Sequence, residues 1–261
     1  EQERSLAHSI DLCVAYTGTD EIANMKKAVK LLSKQVTVPL VIDSTNVQVI
    51  EEALKCYAGK AIINSINLED GEEKADRICK LAKRYGASLI ALVIDEQGMA
   101  KDVEKKVKIA KRLYDIAVNK NGVPSCDLIY DALTFTLASG DEEMKTAGIN
   151  TLEGIKKIKE ELPGVFTVLG VSNISFGLKP YPREILNSVF LHEAVSVGLD
   201  LAIVNVKQII PFFKIPKEDV EKALDLIYNR TSNALFDFIS YFDKQTGVVR
   251  DNKSDDDLTL D

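Results

Sequence analysis

Oxygen-bearing side chains stand at six places in this chain where an apolar run gives way to polar residues. Each is a carboxylate or a carboxamide, and none is Lys, Arg, His or Cys. Such side chains accept hydrogen bonds, and the carboxylates favour cations or ligands rich in N–H donors. A nucleotide phosphate would instead need glycine-rich backbone loops or cationic side chains. The six residues are Asp43, Asn64, Asp95, Asp131, Asn173 and Asn205.

A neutral heterocycle with several N–H donors suits this lining best. The ring N–H and exocyclic NH₂ of an aminopyrimidinone form a donor pair that one carboxylate can bind through both oxygens, while amides supply the remaining contacts. A metal ion is the rival ligand, because Asp43, Asp95 and Asp131 could bind Mg²⁺. The adjoining asparagines and the absence of a DxD cluster in the sequence favour the heterocycle.

Asp43 illustrates why turn capping alone does not explain these residues. A single Asp or Asn after a strand often caps the following turn or helix. Asp43 ends the run LVID and is followed by Ser44, Thr45 and Asn46, any of which could cap a helix starting at residue 47. We therefore expect the Asp43 carboxylate to serve another purpose.

Seven short apolar runs alternate with amphipathic helical stretches along the chain. The runs are nearly continuous in apolar character, which is typical of strands covered on both faces in a parallel sheet. In βα folds the ligand lies at the carboxyl ends of such strands. The predicted strands are 10–16, 39–43, 61–65, 88–95, 127–133, 166–173 and 201–205. The predicted helices are 21–35, 47–58, 72–86, 103–118, one that ends near residue 162 after a long loop, 183–198 and one long helix at 218–242.

Strict alternation of strand and helix leaves a (β/α) barrel or an open doubly wound sheet. Barrel-like spacing favours an α/β fold of the (β/α)8 TIM barrel type, truncated before its first strand, with seven strands visible. The absence of GxGxxG after the first run weakens the dinucleotide-binding alternative. We assign residues 1–243 to this barrel and expect residues 244–261 to be an acidic linker or disordered tail.

Composition narrows the class of partner. The net charge of −7 argues against a general nucleic-acid or anionic-membrane partner, and no apolar run is long enough to span a bilayer. The four cysteines form no CxxC pair, which predicts reduced thiols in a cytoplasmic protein without a zinc site or a disulfide framework. The Lys- and Glu-rich stretch at 101–113 is interpreted as a solvated helix surface.

Several segments, in fixed order, resemble the pterin-binding barrel of the cobalamin-dependent methionine synthases, in the dihydropteroate synthase-like superfamily. The resemblance implies an eight-stranded barrel that holds 5-methyltetrahydrofolate. The N5-methyl group of this folate would pass to Co(I) cobalamin on a separate module, as part of methionine synthesis from homocysteine. The segments are VIDST (41–45), IINSINLEDGEE (62–73), LIYDAL (128–133), LGVSNISFGL (169–178) and LNSVFLHEAV (186–195).

The resemblance also implies roles for particular residues. Asn173 of GVSN matches the residue that reaches the pterin N5 region, which makes it the expected catalytic residue. An amide cannot act as the acid, so the proton that N5 needs would come from solvent or a water chain. Lys179 and Arg183 stand where family members place basic residues beyond that motif. The implied substrate-binding residues are Asp43, Asn64, Asp131, Asn173, Lys179 and Arg183.

Some features of the whole enzymes have no counterpart in this sequence. They are the GERTN-like first strand, the zinc cysteines of the homocysteine module and the DxHxxG cobalamin-binding loop, so we expect a fragment of a multimodular methyltransferase. Three alternatives stay open: a module that only binds folate, a metal-dependent barrel enzyme using the strand-end aspartates, and a dihydropteroate synthase. The last is disfavoured because that group carries a basic SRK-like segment where this chain has Ser172-Asn173-Ile174.

Overall fold

A computed structural model describes the backbone of residues 2–254 and the side chains of residues 2–4 and 6–244. The chain divides into two compact units. The first unit comprises the residues up to Leu133 together with Glu153–Leu169 and Gly198–Leu201. The second unit comprises Thr134–Leu152, Gly170–Val197 and the residues from Ala202 onward.

A seven-stranded sheet organises the first unit. Its strands follow one another in chain order, and the first six of them pair in parallel with their neighbours. A doubly wound sheet would reverse its order at a switch point, so this topology is that of a truncated TIM barrel, as predicted. The strands of the sheet are β1 (Ile10–Cys13), β2 (Leu40–Asp43), β3 (Ile62–Ile66), β4 (Ser88–Leu92), β7 (Leu128–Asp131), β8 (Phe166–Gly170) and β9 (Leu201–Ile203), and a separate hairpin contains β5 (Ile94–Asp95) and β6 (Gly98–Met99).

Helices connect the strands, and their ends follow local chemistry. Asp20 and Asp102 cap the first and fourth helices by accepting hydrogen bonds from the backbone N–H groups of Ala23 and Lys105. Gly86 closes the third helix in the left-handed conformation that glycine adopts readily. The helices are α1 (Glu21–Leu32), α2 (Val47–Cys56), α3 (Glu72–Tyr85), α4 (Val103–Tyr114), α5 (Ala147–Glu161), α6 (Pro180–Ser196), α7 (Lys217–Ile227) and α8 (Ala234–Ser254).

One face of the sheet carries an apolar layer followed by a polar one. Because side chains alternate between faces, the residues two positions after Val41, Ile62 and Ile129 lie on the same face as those apolar residues. They are Asp43, Asn64 and Asp131, which we call the acceptor layer. The apolar layer contains the buried residues Val41, Ile90, Ile129 and Val168, packed by Ile62, Leu92 and Leu201.

The second unit has a small aromatic core around the buried Asp219. The Tyr241 hydroxyl donates to Asp219 Oδ1 at 2.8 Å, and the Tyr181 hydroxyl donates to Oδ2 at 3.2 Å. Phe242 packs edge-on against both tyrosine rings. These contacts join α6, α7 and α8.

Several predicted strands end a few residues earlier in the structure, and two predicted elements are divided. The run at 88–95 is a sheet strand only as far as Leu92, because the chain then turns into the hairpin of β5 and β6. The predicted helix at 218–242 is two helices, α7 and α8. The break follows Tyr228, where Asn229 adopts a left-handed backbone with φ of 46°, a conformation that asparagine tolerates and that ends a helix.

The predicted linker or tail at 244–261 overlaps a helix and otherwise stays a prediction. Helix α8 continues to Ser254, so the predicted linker at 244–261 begins inside a helix. Its remaining residues, 255–261, lie outside the described part of the chain. Among the helices that the structure describes, none has both the length and the apolar character needed to cross a membrane.

Candidate functional site

Asp43 and Asn64 face each other across two neighbouring strands. The parallel pairing places Cys13 opposite Asp43, and Asp43 opposite Asn64. Strands in a sheet lie about 4.8 Å apart, so the two side chains are neighbours on one face. The structure therefore brings together two of the predicted substrate-binding residues.

The helix after Asp43 is capped by another residue. Asn46 Oδ1 accepts a hydrogen bond from the Gln48 backbone N–H at 2.9 Å and is the N-cap of α2. The buried Ser44 accepts from the Asn46 backbone N–H at 3.1 Å and donates to Glu21 at 2.6 Å. Capping therefore does not explain the carboxylate at Asp43.

Asp11, which its sequence context does not mark out, lies beside Asn64 and Asp43. Its carboxylate lies close enough to the Asn64 side chain for that amide to lower its pKa, and it also interacts with the negative charge of Asp43. Partial burial, and secondly repulsion from Asp43, raise the pKa of Asp11. Alternation within IDLC was the available signal, because it places Asp11 on the same face as Cys13.

Asp43 itself sits in an environment that disfavours its charge. Burial, and then the negative charge of Glu21, raise the pKa of Asp43, whereas a hydrogen bond from the Cys13 thiol lowers it. A ligand with N–H donors would stabilise the ionised form of Asp43 by hydrogen bonding to the carboxylate. The arrangement of Asp11, Asp43 and Asn64 thus favours a donor-rich ligand.

Asp131 ends β7 and is opposite Leu92 of β4. Its Oδ1 accepts a hydrogen bond from the Leu133 backbone N–H at 2.8 Å, which closes a tight turn in which Leu133 has φ of 61°. Oδ2 accepts no hydrogen bond within the described residues. Burial raises the pKa of Asp131 to about 6, against the lowering effects of the Leu133 N–H and the charge of Lys106.

Lys106 is buried behind this turn, contrary to the interpretation of 101–113 as solvated surface. Its side chain has no exposed area, and Nζ donates to the backbone oxygens of Ala132 at 2.5 Å, Ala100 at 3.0 Å and Leu133 at 3.3 Å. Burial lowers the pKa of Lys106 to about 8, although the charges of Asp131 and then Asp102 raise it.

Two of the six oxygen-bearing residues have local structural contacts. Asp95 Oδ1 accepts from the Gln97 backbone N–H at 3.0 Å in the β5–β6 hairpin and pairs with Lys105 Nζ at 3.3 Å. Asn205 accepts from the Lys207 backbone N–H at 3.2 Å and caps the short helix that follows. Turn and helix capping account for both residues.

Asn173 lies in the second unit, in a short 3-10 helix at Val171–Ser175 that begins where β8 ends. The prediction that Asn173 ends the strand is wrong, because β8 ends at Gly170 and Asn173 lies in the turn that follows. Its amide is exposed and makes no hydrogen bond to other described residues. A Cβ added at Gly170 would lie 3.1 Å from Asn173 Nδ2, so the glycine of GVSN allows the amide to approach the backbone closely.

Buried polar groups hold this 3-10 helix in place. Ser175 Oγ donates to Asn187 Oδ1 at 2.8 Å, and both side chains are buried. Arg183 donates from Nε to Ser175 Oγ at 3.1 Å and from Nη2 to the Ser172 carbonyl at 3.4 Å. Arg183 therefore braces the segment that carries the Asn173 side chain, and its predicted contact with substrate stays a prediction.

Lys179 is exposed and pairs with Asp243 at 2.7 Å, and its role as a substrate ligand also stays a prediction. His192 stacks on Phe212 with ring centroids 3.8 Å apart. In the part of the chain that the structure describes, no three His, Cys, Asp or Glu side chains are grouped so that they could hold a metal ion.

Comparisons with known proteins agree with this architecture. The family model for pterin binding enzymes matches residues 4–205. Methionine synthase of Mycobacterium leprae (strain TN) is 45% identical over 233 residues, which is 88% of this chain and 19% of that protein. The corresponding enzyme of Mycobacterium tuberculosis (strain ATCC 25618 / H37Rv) is 45% identical over 88% of this chain and 20% of its own length. The chain thus spans about a fifth of these relatives.

Solved structures share the fold. Dihydropteroate synthase from Stenotrophomonas maltophilia superposes with a TM-score of 0.59 at 16% identity, over 94% of this chain and 84% of that one. The enzyme from Xanthomonas albilineans in complex with 7,8-dihydropteroate gives 0.56 at 13% identity, over 94% and 81%. With the family match over most of its length, the chain belongs to the pterin binding enzymes.

Proposed function

We propose that this chain is the folate-binding module of a methionine synthase. It binds 5-methyltetrahydrofolate and presents the N5-methyl group for transfer to Co(I) cobalamin on a separate module, in the cytoplasm. The observation that carries the proposal is the acceptor layer of Asp43, Asn64 and Asp131 at one end of the sheet of a pterin-binding fold. Identity of 45% to methionine synthases over 88% of the chain supports it.

The acceptor layer matches the donor edge of a pterin. Asp131 has a pKa of about 6, so it is ionised at neutral pH, and Oδ2 is available for the ring N–H and exocyclic NH₂. Asn64 can donate to the Asp11 carboxylate only through its NH₂ group, so its carbonyl oxygen is left to accept from the ligand. Both contacts favour donors over acceptors on the bound ring.

Methyl transfer places a specific demand on the groups near N5. As the N5–methyl bond breaks, its electron pair stays on nitrogen, which must take up a proton to be a good leaving group. Co(I) cobalamin, held on the separate module, would supply the electron pair for the new bond to the methyl carbon. The amide of Asn173 donates a hydrogen bond to N5 and positions the ring, while the proton comes from water. Lys179 and Arg183 add positive charge on the same unit.

Calorimetry with 5-methyltetrahydrofolate, with and without EDTA, tests the binding half of the proposal. We expect saturable binding that EDTA leaves unchanged. Loss of binding with EDTA would favour the metal-dependent enzyme, and no binding in either condition would contradict the proposal.

The transfer half is tested by adding Co(I) cobalamin to the folate-loaded chain. We expect the Co(I) absorbance to decay faster with the chain than without it. Binding without acceleration would leave a folate-binding module as the function. A dihydropteroate synthase would instead form dihydropteroate from a pterin pyrophosphate and p-aminobenzoate, and we expect no product in that assay.

A further inference from the structure

Lys106 is a buried cation next to the acceptor layer. It lies on α4, yet its side chain has no exposed area and ends among three backbone carbonyl oxygens. Two of these oxygens belong to Ala132 and Leu133, the residues directly after Asp131. A buried charge is retained only where hydrogen bonds compensate its lost hydration. The three carbonyl oxygens provide that compensation for Lys106.

We propose that Lys106 is a positioning residue for the folate site, holding the Ala132–Leu133 turn so that Asp131 presents its open oxygen to the pterin ring. The inference rests on the proposed function. The Leu133 N–H can donate to Asp131 Oδ1 only while Leu133 keeps its left-handed backbone conformation. That conformation is unfavourable for a residue other than glycine, so other contacts must stabilise the turn. The ammonium group of Lys106 stabilises that turn by binding the carbonyls of Ala132 and Leu133.

Helix α5 has a glycine where it packs against the side chain of Lys106. A Cβ added at Gly154 of α5 would lie 2.8 Å from Lys106 Cδ, closer than side chains approach one another. Because Nζ is tied to three carbonyls, the stem of the lysine cannot swing away. Gly154 therefore keeps open the passage through which Lys106 reaches the turn.

Lys106 also acts on the charge of Asp131. Its positive charge lowers the pKa of the buried carboxylate, against the larger effect of burial. Asp102, before α4, is the other carboxylate that interacts with Lys106. Removing the ammonium group is thus expected to loosen the turn and to raise the pH at which Asp131 ionises.

A double-mutant cycle on the full 261-residue chain tests the inference. Lys106→Met keeps the length and volume of the side chain but removes its donors and its charge. We expect Lys106→Met to weaken binding of 5-methyltetrahydrofolate at least about tenfold, but no more than about twofold in an Asp131→Asn background, because coupled residues are not additive. The pH midpoint of binding should also rise in the single variant. Lys108→Met, at an exposed position of the same helix, is the matched control and should leave the affinity unchanged.

The outcomes separate this inference from the proposed function. If the unmodified chain does not bind the folate, the proposed function fails. If it binds and Lys106→Met costs the same factor in both backgrounds, or costs nothing, the positioning role is wrong. If Lys106→Met does not fold, Lys106→Gln takes its place in the cycle, since it keeps N–H donors without the charge.

Discussion

Asp43 stands directly opposite Asn64 in the parallel pairing of β2 with β3, and neither side chain caps the helix that follows its strand. Asn46 caps α2, and α3 begins after Gly71 without a side-chain cap. Two polar residues are thus held on one face of the sheet, next to the apolar layer. This is the relationship that a ligand-binding role requires and a capping role does not.

Asp43→Asn should separate binding from stability. The change keeps the shape of the side chain but replaces one acceptor oxygen with a donor, so a donor pair on the ligand loses its partner. We expect affinity for 5-methyltetrahydrofolate to fall about tenfold or more, since a charged hydrogen bond contributes about 1.5–3 kcal/mol. Because burial disfavours the Asp43 charge, the melting temperature should stay the same or rise.

Asn46→Ala is the matched control for Asp43→Asn. Loss of the cap should lower the free energy of unfolding by about 1 kcal/mol while leaving the affinity for folate intact. The reverse pattern, in which Asp43→Asn destabilises the fold and leaves binding unchanged, would show that Asp43 is structural.

The pH dependence of folate binding should report the ionisation of Asp131. Its pKa is raised to about 6, and only the ionised carboxylate accepts two N–H donors. Affinity should therefore level off near pH 7, where Lys106 is still charged, and fall by up to about tenfold per pH unit below pH 6, since one proton is taken up. Asp11 and Asp43 also have raised pKa values, and their protonation would steepen the fall.

Calorimetry across this range checks the prediction. In Asp131→Asn the affinity should be lower at neutral pH and should not change near pH 6. A wild-type profile that is flat between about pH 5 and pH 7 would mean that Asp131 does not bind the ligand as a carboxylate.

Much of the fold and part of the site could be predicted from local patterns. Continuous apolar runs separated by amphipathic stretches identify buried parallel strands, and strand ends of one sheet share an edge. Asp43, Asn64 and Asp131 were predicted for that reason, and the structure places them on one sheet face, two residues beyond its apolar layer.

The remaining features depend on distant contacts. Lys106 has the spacing of a surface residue, and nothing near it in the sequence reveals that the carbonyls of Ala132 and Leu133 will bind its ammonium group. Asp11 stands inside an apolar run, and its proximity to Asn64 follows only from the pairing of three strands. The positions of Lys106 and Asp11 therefore depend on contacts between residues that are far apart in the sequence.

Asn173→Ala should slow methyl transfer by more than its loss of binding explains. The amide would contribute most when N5 develops basicity in the transition state, so its removal lowers the rate at saturating folate. We expect roughly a tenfold to hundredfold decrease, the order associated with one positioned hydrogen-bond donor. The measurement is the decay of Co(I) cobalamin absorbance with folate in excess.

Ser172→Ala provides the control for Asn173→Ala. Ser172 is the exposed neighbour of Asn173, and its carbonyl, rather than its side chain, binds Arg183. This variant should retain the wild-type rate. An unchanged rate in Asn173→Ala would count against the catalytic assignment.

The contribution of Lys106 to the free energy of unfolding should change with pH. Its pKa is lowered from 10.5 to about 8 in the folded chain. Below pH 8 the lysine is charged in both states, and the folded chain bears the full cost of burying that charge. Between pH 8 and pH 10.5 the unfolded chain binds more protons than the folded chain, so the contribution of Lys106 to stability rises with pH.

Comparison with Lys106→Met isolates this contribution, because methionine binds no proton and all other groups are common to both chains. Across that window the difference in the free energy of unfolding should shift in favour of wild type by about 3.5 kcal/mol at most, since each pKa unit corresponds to about 1.4 kcal/mol. Urea unfolding of both chains at pH values below 8 and near 10 provides the measurement. Parallel stability profiles would mean that the Lys106 ammonium group has an ordinary pKa, and therefore that it is not held in the dry environment from which it would orient Asp131.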